Sequence, residues 1–292
     1  MYNKNSNHNK SIIMTMSNQD KERALQKENR LKTYLKELGS VAVAFSGGVD
    51  STYLMKIAYD TLGSKAVAVT ASLHSFPERE RRDAEEFCQD LGIRQIIVEI
   101  DELMVEGFRK NPPDRCYHCK KHIFSRIIET ADKEGISYVA DGSNIDDDKD
   151  YRPGHKAILE LGVVSPLRKA GMTKDEIRFL SERKKLSTWD KPSMACLASR
   201  FVYGEEITLE RLTMVDQAEK LLKEMGFSQY RVRIHGTMAR IEIPVDEISM
   251  AVKEENRIRI LKELKDLGFS YVSLDLEGFR SGSMNDGWRG RE

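Results

Sequence analysis

The sequence predicts an α/β protein, a doubly wound parallel sheet followed by a smaller α+β domain. Three observations carry the prediction. Short apolar runs alternate with helical patterns from Val41 to about Leu186, a glycine-rich turn joins the first run to its helix, and the rhythm changes after Phe201. Regular strand–helix alternation implies parallel strands with helices packed on the faces of the sheet.

The first strand is Val41-Ala42-Val43-Ala44-Phe45, and a helix opens at Asp50 or Ser51. Ala66–Ala71 and Gln95–Ile100 are further strands. Between them Ser75 and Pro77 open a helix carrying Ala84, Phe87, Cys88 and Leu91 at i, i+3, i+4, i+7 spacing. Cys88 falls on that apolar face and belongs to the core. Another helix follows Cys119, with Ile123, Phe124, Ile127, Ile128 and Ala131 on one side. Tyr138-Val139-Ala140 ends in Asp141-Gly142-Ser143-Asn144, the kind of strand-end loop where open α/β sheets place ligands. Val163-Val164 reads as one more strand, and Thr173-x-x-Glu176 as a capping box for the next helix.

In the second domain Thr208 caps a helix through Leu209, Leu212, Val215, Leu222 and Met225, which Gly226 closes. Strands Tyr230–Ile234 and Met238–Ile243 flank a hairpin signal, His235-Gly236-Thr237. One long helix near Asp246–Leu267 and a strand at Tyr271–Leu276 complete the unit. The expected organisation is a disordered tail over 1–20, the α/β domain with the cysteines over 21–200, the α+β domain over 201–278 and a flexible tail over 279–292.

Lys plus Arg equals Asp plus Glu at 47 each, so no global field draws the chain to nucleic acid or acidic membranes. No apolar stretch approaches the roughly 20 residues that a membrane helix needs. The first 16 residues lack the apolar core of a secretion signal, and Met14 or Met16 offers an alternative start. Four cysteines in 292 residues are too sparse for a disulfide scaffold, so a cytoplasmic protein is the expectation.

Ser46-Gly47-Gly48-Val49-Asp50-Ser51 is the strongest local signal. Its glycines let backbone N–H groups approach an anion, and the following helix N-terminus adds unpaired donors and partial positive charge. No Lys follows the glycines, which excludes the loop that grips a γ-phosphate for transfer. The pattern matches instead the pyrophosphate loop (PP-loop) of enzymes that cleave ATP between its α- and β-phosphates.

Cys116-Tyr117-His118-Cys119 follows Pro112-Pro113 and is expected on a loop at the mouth of a helix. Helix N-termini favour thiolates, the form that ligates metals. C-x-x-C alone fits zinc, a redox disulfide, an iron–sulfur cluster or no ligand. Cys196 lies in a small-residue segment without helical period, which suits a site or a packed free thiol. Cys116, Cys119 and Cys196 can hold three corners of a 4Fe-4S cluster and leave one iron open. Zinc is the alternative, with His118 or His122 as fourth ligand.

Ser46–Ser51, Asp141-Gly142-Ser143-Asn144 with the acidic run to Asp150-Tyr151-Arg152-Pro153-Gly154, Ser165-Pro166-Leu167-Arg168, and Trp189-Asp190-Lys191-Pro192-Ser193 through Cys196-Leu197-Ala198-Ser199-Arg200 together resemble the LarE family. These are the ATP-dependent sulfur transferases of nickel-pincer nucleotide synthesis. The likeness spans about Leu31 to Leu276. It implies a PP-loop ATP pyrophosphatase fold and a small-molecule substrate, pyridinium-3,5-biscarboxylic acid mononucleotide, whose carboxylates become thiocarboxylates. It implies that ATP with Mg2+ adenylates a carboxylate and releases pyrophosphate. Ser46, Gly47, Gly48, Asp50 and Ser51 map onto the ATP-binding loop, with Asp50 a Mg2+ partner. Cys196 maps onto the sulfur-donating cysteine of members that sacrifice it. This chain also carries Cys116 and Cys119, which resembles the cluster-dependent branch. There an open iron binds an extra sulfide for repeated turnover. The sulfide source is unspecified, and a homo-oligomer is expected.

Arg231, Arg233 and His235 alternate along one predicted strand and so face one side. Arg240 and Glu242 do the same on the partner strand. The resemblance places Glu219, Arg231 and Arg233 in a substrate or metal pocket near the donor cysteine. From the residues alone, a solvated sheet face with cross-strand ion pairs is the simpler account. The competing functions are a PP-loop tRNA thiolation enzyme and a non-catalytic ATP- or metal-binding sensor. From Phe201 onward 14 Lys/Arg face 17 Asp/Glu, which argues against an RNA-binding surface.

Overall fold

In the computed structural model four strands form one parallel sheet in the order β3-β2-β1-β4, with β1 at Val41–Ala44, β2 at Ala66–Ser72, β3 at Gln95–Glu99 and β4 at Val139–Ala140. The structure describes residues 16–149, 153–192, 195–280 and 283. Outside them fall Met14, the motif residues Asp150, Tyr151, Arg152 and Ser193, and much of both expected tails. The chain divides into two compact units, Met1–Val105 with Asp114–Met194, and Glu106–Pro113 with Ala195–Glu292.

The longer helices of the first unit are α1 (Asn18–Leu38), α2 (Val49–Leu62), α3 (Glu78–Leu91), α4 (Arg115–Lys133), α5 (Pro153–Glu160) and α6 (Lys174–Arg183). Successive strand residues face opposite sides. Val41 and Val43 pack with Leu31, Leu35, Leu54 and Ile57 on one face. Ala42, Val67 and Val69 pack with Phe124, Ile127 and Ile158 on the other. Both faces are therefore covered, as a doubly wound sheet requires. Each such side chain, fully buried, contributes about 1.5–3 kcal/mol, which makes β1 and α4 firm supports for whatever they carry. Strands β2 and β3 extend the sheet to one side of β1 and β4 to the other, so the connection order reverses between β1 and β4. Ligands bind at that switch point, beyond the carboxyl ends of the strands.

Three details differ from the sequence reading. Helix α4 starts at Arg115, so Cys116–Cys119 lie inside its first turns and not on a preceding loop. Pro113 stops the chain from being helical earlier, and the first turn, Arg115-Cys116-Tyr117-His118, carries no apolar period to announce it. Helix α1 includes residues 18–20 of the expected tail, with Ser17 accepting from the Asp20 amide as its N-cap. Val163-Val164 supplies one bridge, Ala140 to Val164, and no full strand. The capping box forms as expected, with Thr173 accepting from Glu176 N and Glu176 from Thr173 N.

In the second unit β5 (Arg231–His235) and β6 (Met238–Glu242) form the expected antiparallel hairpin. β7 (Tyr271–Leu274) lies parallel to β6, and α7 (Leu209–Glu224) supplies Leu212, Val215 and Leu222 to the core. The predicted long helix is broken. A one-turn helix, Ile248–Ala251, precedes α8 (Glu254–Asp266), because Lys253 is extended (φ −55°, ψ 139°) as the N-cap of α8. Glu254 and Glu255 then favour a fresh helix start. Residues Glu106–Pro113 join this unit through Ile207 N to Arg109 O at 2.9 Å and Asn111 Nδ2 to Val202 O at 2.7 Å.

Candidate active site

The turn between β1 and α2 is folded in advance of any ligand. Gly47 has φ +68°, and a Cβ there would stand 3.1 Å from Ala84 Cβ and 3.3 Å from the Glu80 carbonyl oxygen. Only glycine lets the turn adopt that backbone and lie against α3. Ser51 Oγ donates to Gly48 O at 3.2 Å and lies 3.1 Å from Ser46 Oγ, tying the turn to the first turn of α2. On the other side of the switch point, a Cβ on Gly142 would be 3.1 Å from Ser51 N, so a bare backbone is needed for the β4 loop to pass. Asp141 holds that loop by accepting from Ser165 Oγ at 2.6 Å and from Ser143 Oγ.

A cavity of about 680 Å³ opens over the turn, within the range of small-molecule sites. Ser46, Gly48, Asp50 and Ser51 line it, and Gly47 sets the curvature beneath. Val69, Leu73, Phe76 and, from α4, Phe124 and Ile127 give one apolar wall suited to a flat base. Arg81, Lys120, Lys174 and Arg178 supply positive charge. Asp50 pairs with Lys174 through one carboxylate oxygen, while the other oxygen is buried without a hydrogen-bond partner. Burial pulls the Arg178 guanidinium below its ordinary value, with Asp50 opposing the shift most strongly. Lys174 and Arg178 were not singled out in the sequence. The capping box at Thr173 was the available signal, because it places the N-terminus of α6, and Lys174 is the next residue.

Cys116 is exposed and Cys119 half-buried, one turn apart on α4, and neither is in a disulfide. A Cβ on Gly154 would meet Lys120 Cδ at 2.7 Å and Cys116 O at 3.1 Å, so α5 presses on the same turn of α4. Cys88 is buried, and burial pushes its thiol up to about 12, which fits the core role read from sequence. Within each unit, among the described residues, no three His, Cys, Asp or Glu side chains gather at metal-ligating spacing.

In the second unit Cys196 precedes a single 3-10 turn, Leu197–Arg200. Arg200 Nη1 donates to Ala195 O at 3.0 Å, to Ser199 Oγ at 2.9 Å and, more loosely, to Cys196 O at 3.4 Å. Its Nε and Nη2 bind the two oxygens of Glu219 at 2.7 and 2.9 Å, and Glu219 also accepts from Val232 N at 3.1 Å. Burial disfavours the Arg200 cation, but Glu219 outweighs burial and holds the group above its ordinary value.

Arg233 is likewise buried, donating to Ser199 O at 2.8 Å and to Glu242 at 2.9 Å. Ser283 joins Arg233 and Glu242 at 2.9 and 2.7 Å. The strand face is therefore an internal charge network and not a solvated surface. Arg231 differs. It has no carboxylate partner among the described residues and lies over the Phe279 ring at 4.7 Å. Burial and the neighbouring Arg233 and Arg200 charges push it down to about 10. A cation so placed favours an anion.

A glycine turn at the switch point of a parallel sheet, beneath a nucleotide-sized cavity, defines the PP-loop class of ATP-using proteins. Consistent with that class, residues 24–124 match the NAD synthase family model. Pyridinium-3,5-bisthiocarboxylic acid mononucleotide synthase of Lactiplantibacillus plantarum is 40% identical over 261 residues, 89% of this chain and 94% of that protein. An uncharacterized protein of Synechocystis sp. is 42% identical over 259 residues, 89% of this chain and 97% of its own length. One of Methanocaldococcus jannaschii is 31% identical over 260 residues, 88% of this chain and 98% of its own. The chain belongs to the LarE family. No helix among the described residues is long and apolar enough to cross a membrane.

Proposed function

We propose that the protein uses ATP to convert pyridinium-3,5-biscarboxylic acid mononucleotide to its bisthiocarboxylic acid form, in nickel-pincer nucleotide synthesis. The observation that carries this reading is 40% identity with the named synthase over nearly the whole of both chains, joined to a preformed phosphate turn. A carboxylate resists attack because oxide is a poor leaving group. Its oxygen attacks the α-phosphorus of ATP, pyrophosphate departs, and the resulting acyl-adenylate carries AMP as a good leaving group. A sulfur nucleophile then displaces AMP.

In this reading Ser46, Gly47, Gly48 and Ser51 present the turn to the phosphates, and the partnerless oxygen of Asp50 suits Mg2+. Arg231 favours an anionic group of the substrate, since a planar guanidinium pairs well with phosphate and carboxylate, and Arg233 backs it on the same strand from within the Glu242 network. Glu219 acts at one remove, by holding Arg200 against the Cys196 loop. The cysteines supply soft thiolate donors on an accessible helix turn and on the Cys196 loop, a donor set that fits an iron–sulfur cluster. Bound by Cys116, Cys119 and Cys196, a 4Fe-4S cluster would leave one iron open to carry a sulfide.

The test is direct. Anaerobically purified protein is given Mg2+, ATP, a sulfide source and the pyridinium biscarboxylate mononucleotide. Pyrophosphate should form only when the pyridinium nucleotide is present, and mass spectrometry should show one oxygen exchanged for one sulfur per step. Pyrophosphate release that ignores the pyridinium nucleotide, or that responds to tRNA instead, would overturn the reading.

A further inference from the structure

Arg178 faces two ways. Its guanidinium lines the nucleotide cavity beside Asp50, yet its donors are spent on two neutral backbone carbonyls, Trp189 O at 2.6 Å through Nη1 and Lys191 O at 2.9 Å through Nη2. The segment so held is also fastened to the phosphate turn. Lys191 Nζ binds Glu80 at 2.7 Å and Asp83 at 2.8 Å, and reaches Gly47 O at 3.5 Å. Backbone bonds inside the segment are few, Trp189 N to Leu186 O at 3.2 Å and Lys191 N to Thr188 O at 3.0 Å. Five residues after Lys191 the chain reaches Cys196. Trp189 and Lys191, on the way to that thiol, are thus held by a charged group that borders the cavity.

We propose that Arg178 is a nucleotide-responsive latch: phosphate charge in the cavity draws its guanidinium off the Trp189 and Lys191 carbonyls and loosens the segment leading to Cys196. The physical ground is the difference between acceptors. A hydrogen bond from a guanidinium to an ionised phosphate is roughly twice as strong as one to a neutral carbonyl. With the cavity empty, the two carbonyls are the acceptors it has; with a triphosphate present, they are outcompeted. Lys191 keeps the segment tethered to α3 and the phosphate turn, so release is local. The consequence for the reaction is timing, because the chain before Cys196 gains freedom only when the activating nucleotide is in place. The inference rests on the nucleotide reading of the cavity proposed above.

The experiment is hydrogen–deuterium exchange of the full chain, followed on a peptide spanning 186–192, with ATP binding measured calorimetrically in the same preparation. Magnesium ATP should speed exchange at the Trp189 and Lys191 amides by about threefold or more. Adenosine, which fills the base and ribose positions without phosphate charge, should leave the rate unchanged. Arg178→Gln should abolish the ATP response. ATP that binds while exchange stays constant or slows overturns the latch and leaves the nucleotide site standing, as does an equal response to adenosine. If ATP does not bind at all, the nucleotide reading falls and the latch with it. Should Arg178→Gln fail to fold, the comparison of ATP with adenosine on the natural sequence decides alone.

Discussion

Glu219 grips Arg200 through both carboxylate oxygens, at 2.7 Å to Nε and 2.9 Å to Nη2, with both residues buried. The remaining Arg200 nitrogen binds the loop of Cys196, so a pair inside the second unit sets the backbone around the thiol. Breaking a buried ion pair from one side leaves an uncompensated charge and costs about 3–5 kcal/mol. Glu219→Ala should lose stability on that scale in urea unfolding, and adding Arg200→Met should recover much of it. A Glu219→Ala protein as stable as the natural one would mean that the pair does not hold the loop.

The phosphate turn makes a contrast between adjacent glycines. Gly47 has φ +68° and is pressed by α3, whereas the nearest atom to a Cβ on Gly48 is Ser46 Oγ at an ordinary 3.5 Å. Left-handed backbone costs a side chain roughly 1–2 kcal/mol, and Gly47→Ala adds a close contact to that. Gly47→Ala should therefore destabilise by at least about 1–2 kcal/mol and weaken ATP binding at least tenfold by calorimetry. Gly48→Ala should change stability by under about 0.5 kcal/mol. Equal effects at both positions would show that turn strain does not govern the site.

How much of this could be read in advance depends on whether a feature is local in sequence. The turn, the Thr173 capping box and the β5–β6 hairpin are written in consecutive residues, and all appear where expected. The helical start at Arg115 is hidden because its first turn is polar and carries no apolar period. Arg178, Lys174 and Lys120 reach the cavity from helices distant in sequence, which no local pattern announces. Phe279 and Ser283, in a Gly/Ser-rich stretch expected to be mobile, pack on the arginine network. There the fixing contacts lie across the fold and composition misleads.

His235 gives a pH dependence with a definite sign. Its Nε2 is buried without a partner, and burial, with Arg240 next, holds the ring below its ordinary value of 6.5. The unfolded chain then binds more protons than the folded one as pH falls through 6.5, so the contribution is fully present above that value and is lost below it. Stability should decline as pH drops from about 7 toward 5. His235→Gln should flatten that part of the profile in denaturant titrations. A slope unchanged by the substitution would assign the effect to other groups.

Arg231 and Arg233 sit two residues apart on β5 but should respond oppositely. Arg233 is held by Ser199, Glu242 and Ser283, and Arg233→Ala should cost about 1–3 kcal/mol by taking from buried Glu242 one of its two guanidinium partners, Arg240 being the other. Arg231 has no carboxylate partner among the described residues, and its charge is opposed by Arg233 and Arg200. Arg231→Met should leave stability within about 0.5 kcal/mol while raising the substrate KM. Unaltered kinetics in a folded Arg231→Met protein would return the residue to a packing role.

The cysteines separate a cluster from a sacrificed thiol. Cys116 and Cys119 stand one turn apart on α4, are not in a disulfide, and join no gathered set of three His, Cys, Asp or Glu within their unit among the described residues. Thiolate donors of this kind suit iron–sulfur ligation, and removing any one of the three ligands should abolish it. Protein isolated without oxygen should contain iron and acid-labile sulfide. Cys116→Ala and Cys119→Ala should each lose both, along with repeated sulfur transfer, while ATP binding persists because neither residue lines the cavity. Cys88→Ala should retain iron, since that thiol is buried in the core. Iron-free protein that transfers one sulfur per chain and leaves dehydroalanine at position 196 would instead establish sacrifice. Zinc in place of iron, with sulfur transfer intact, would keep the three-thiolate site and reject the cluster.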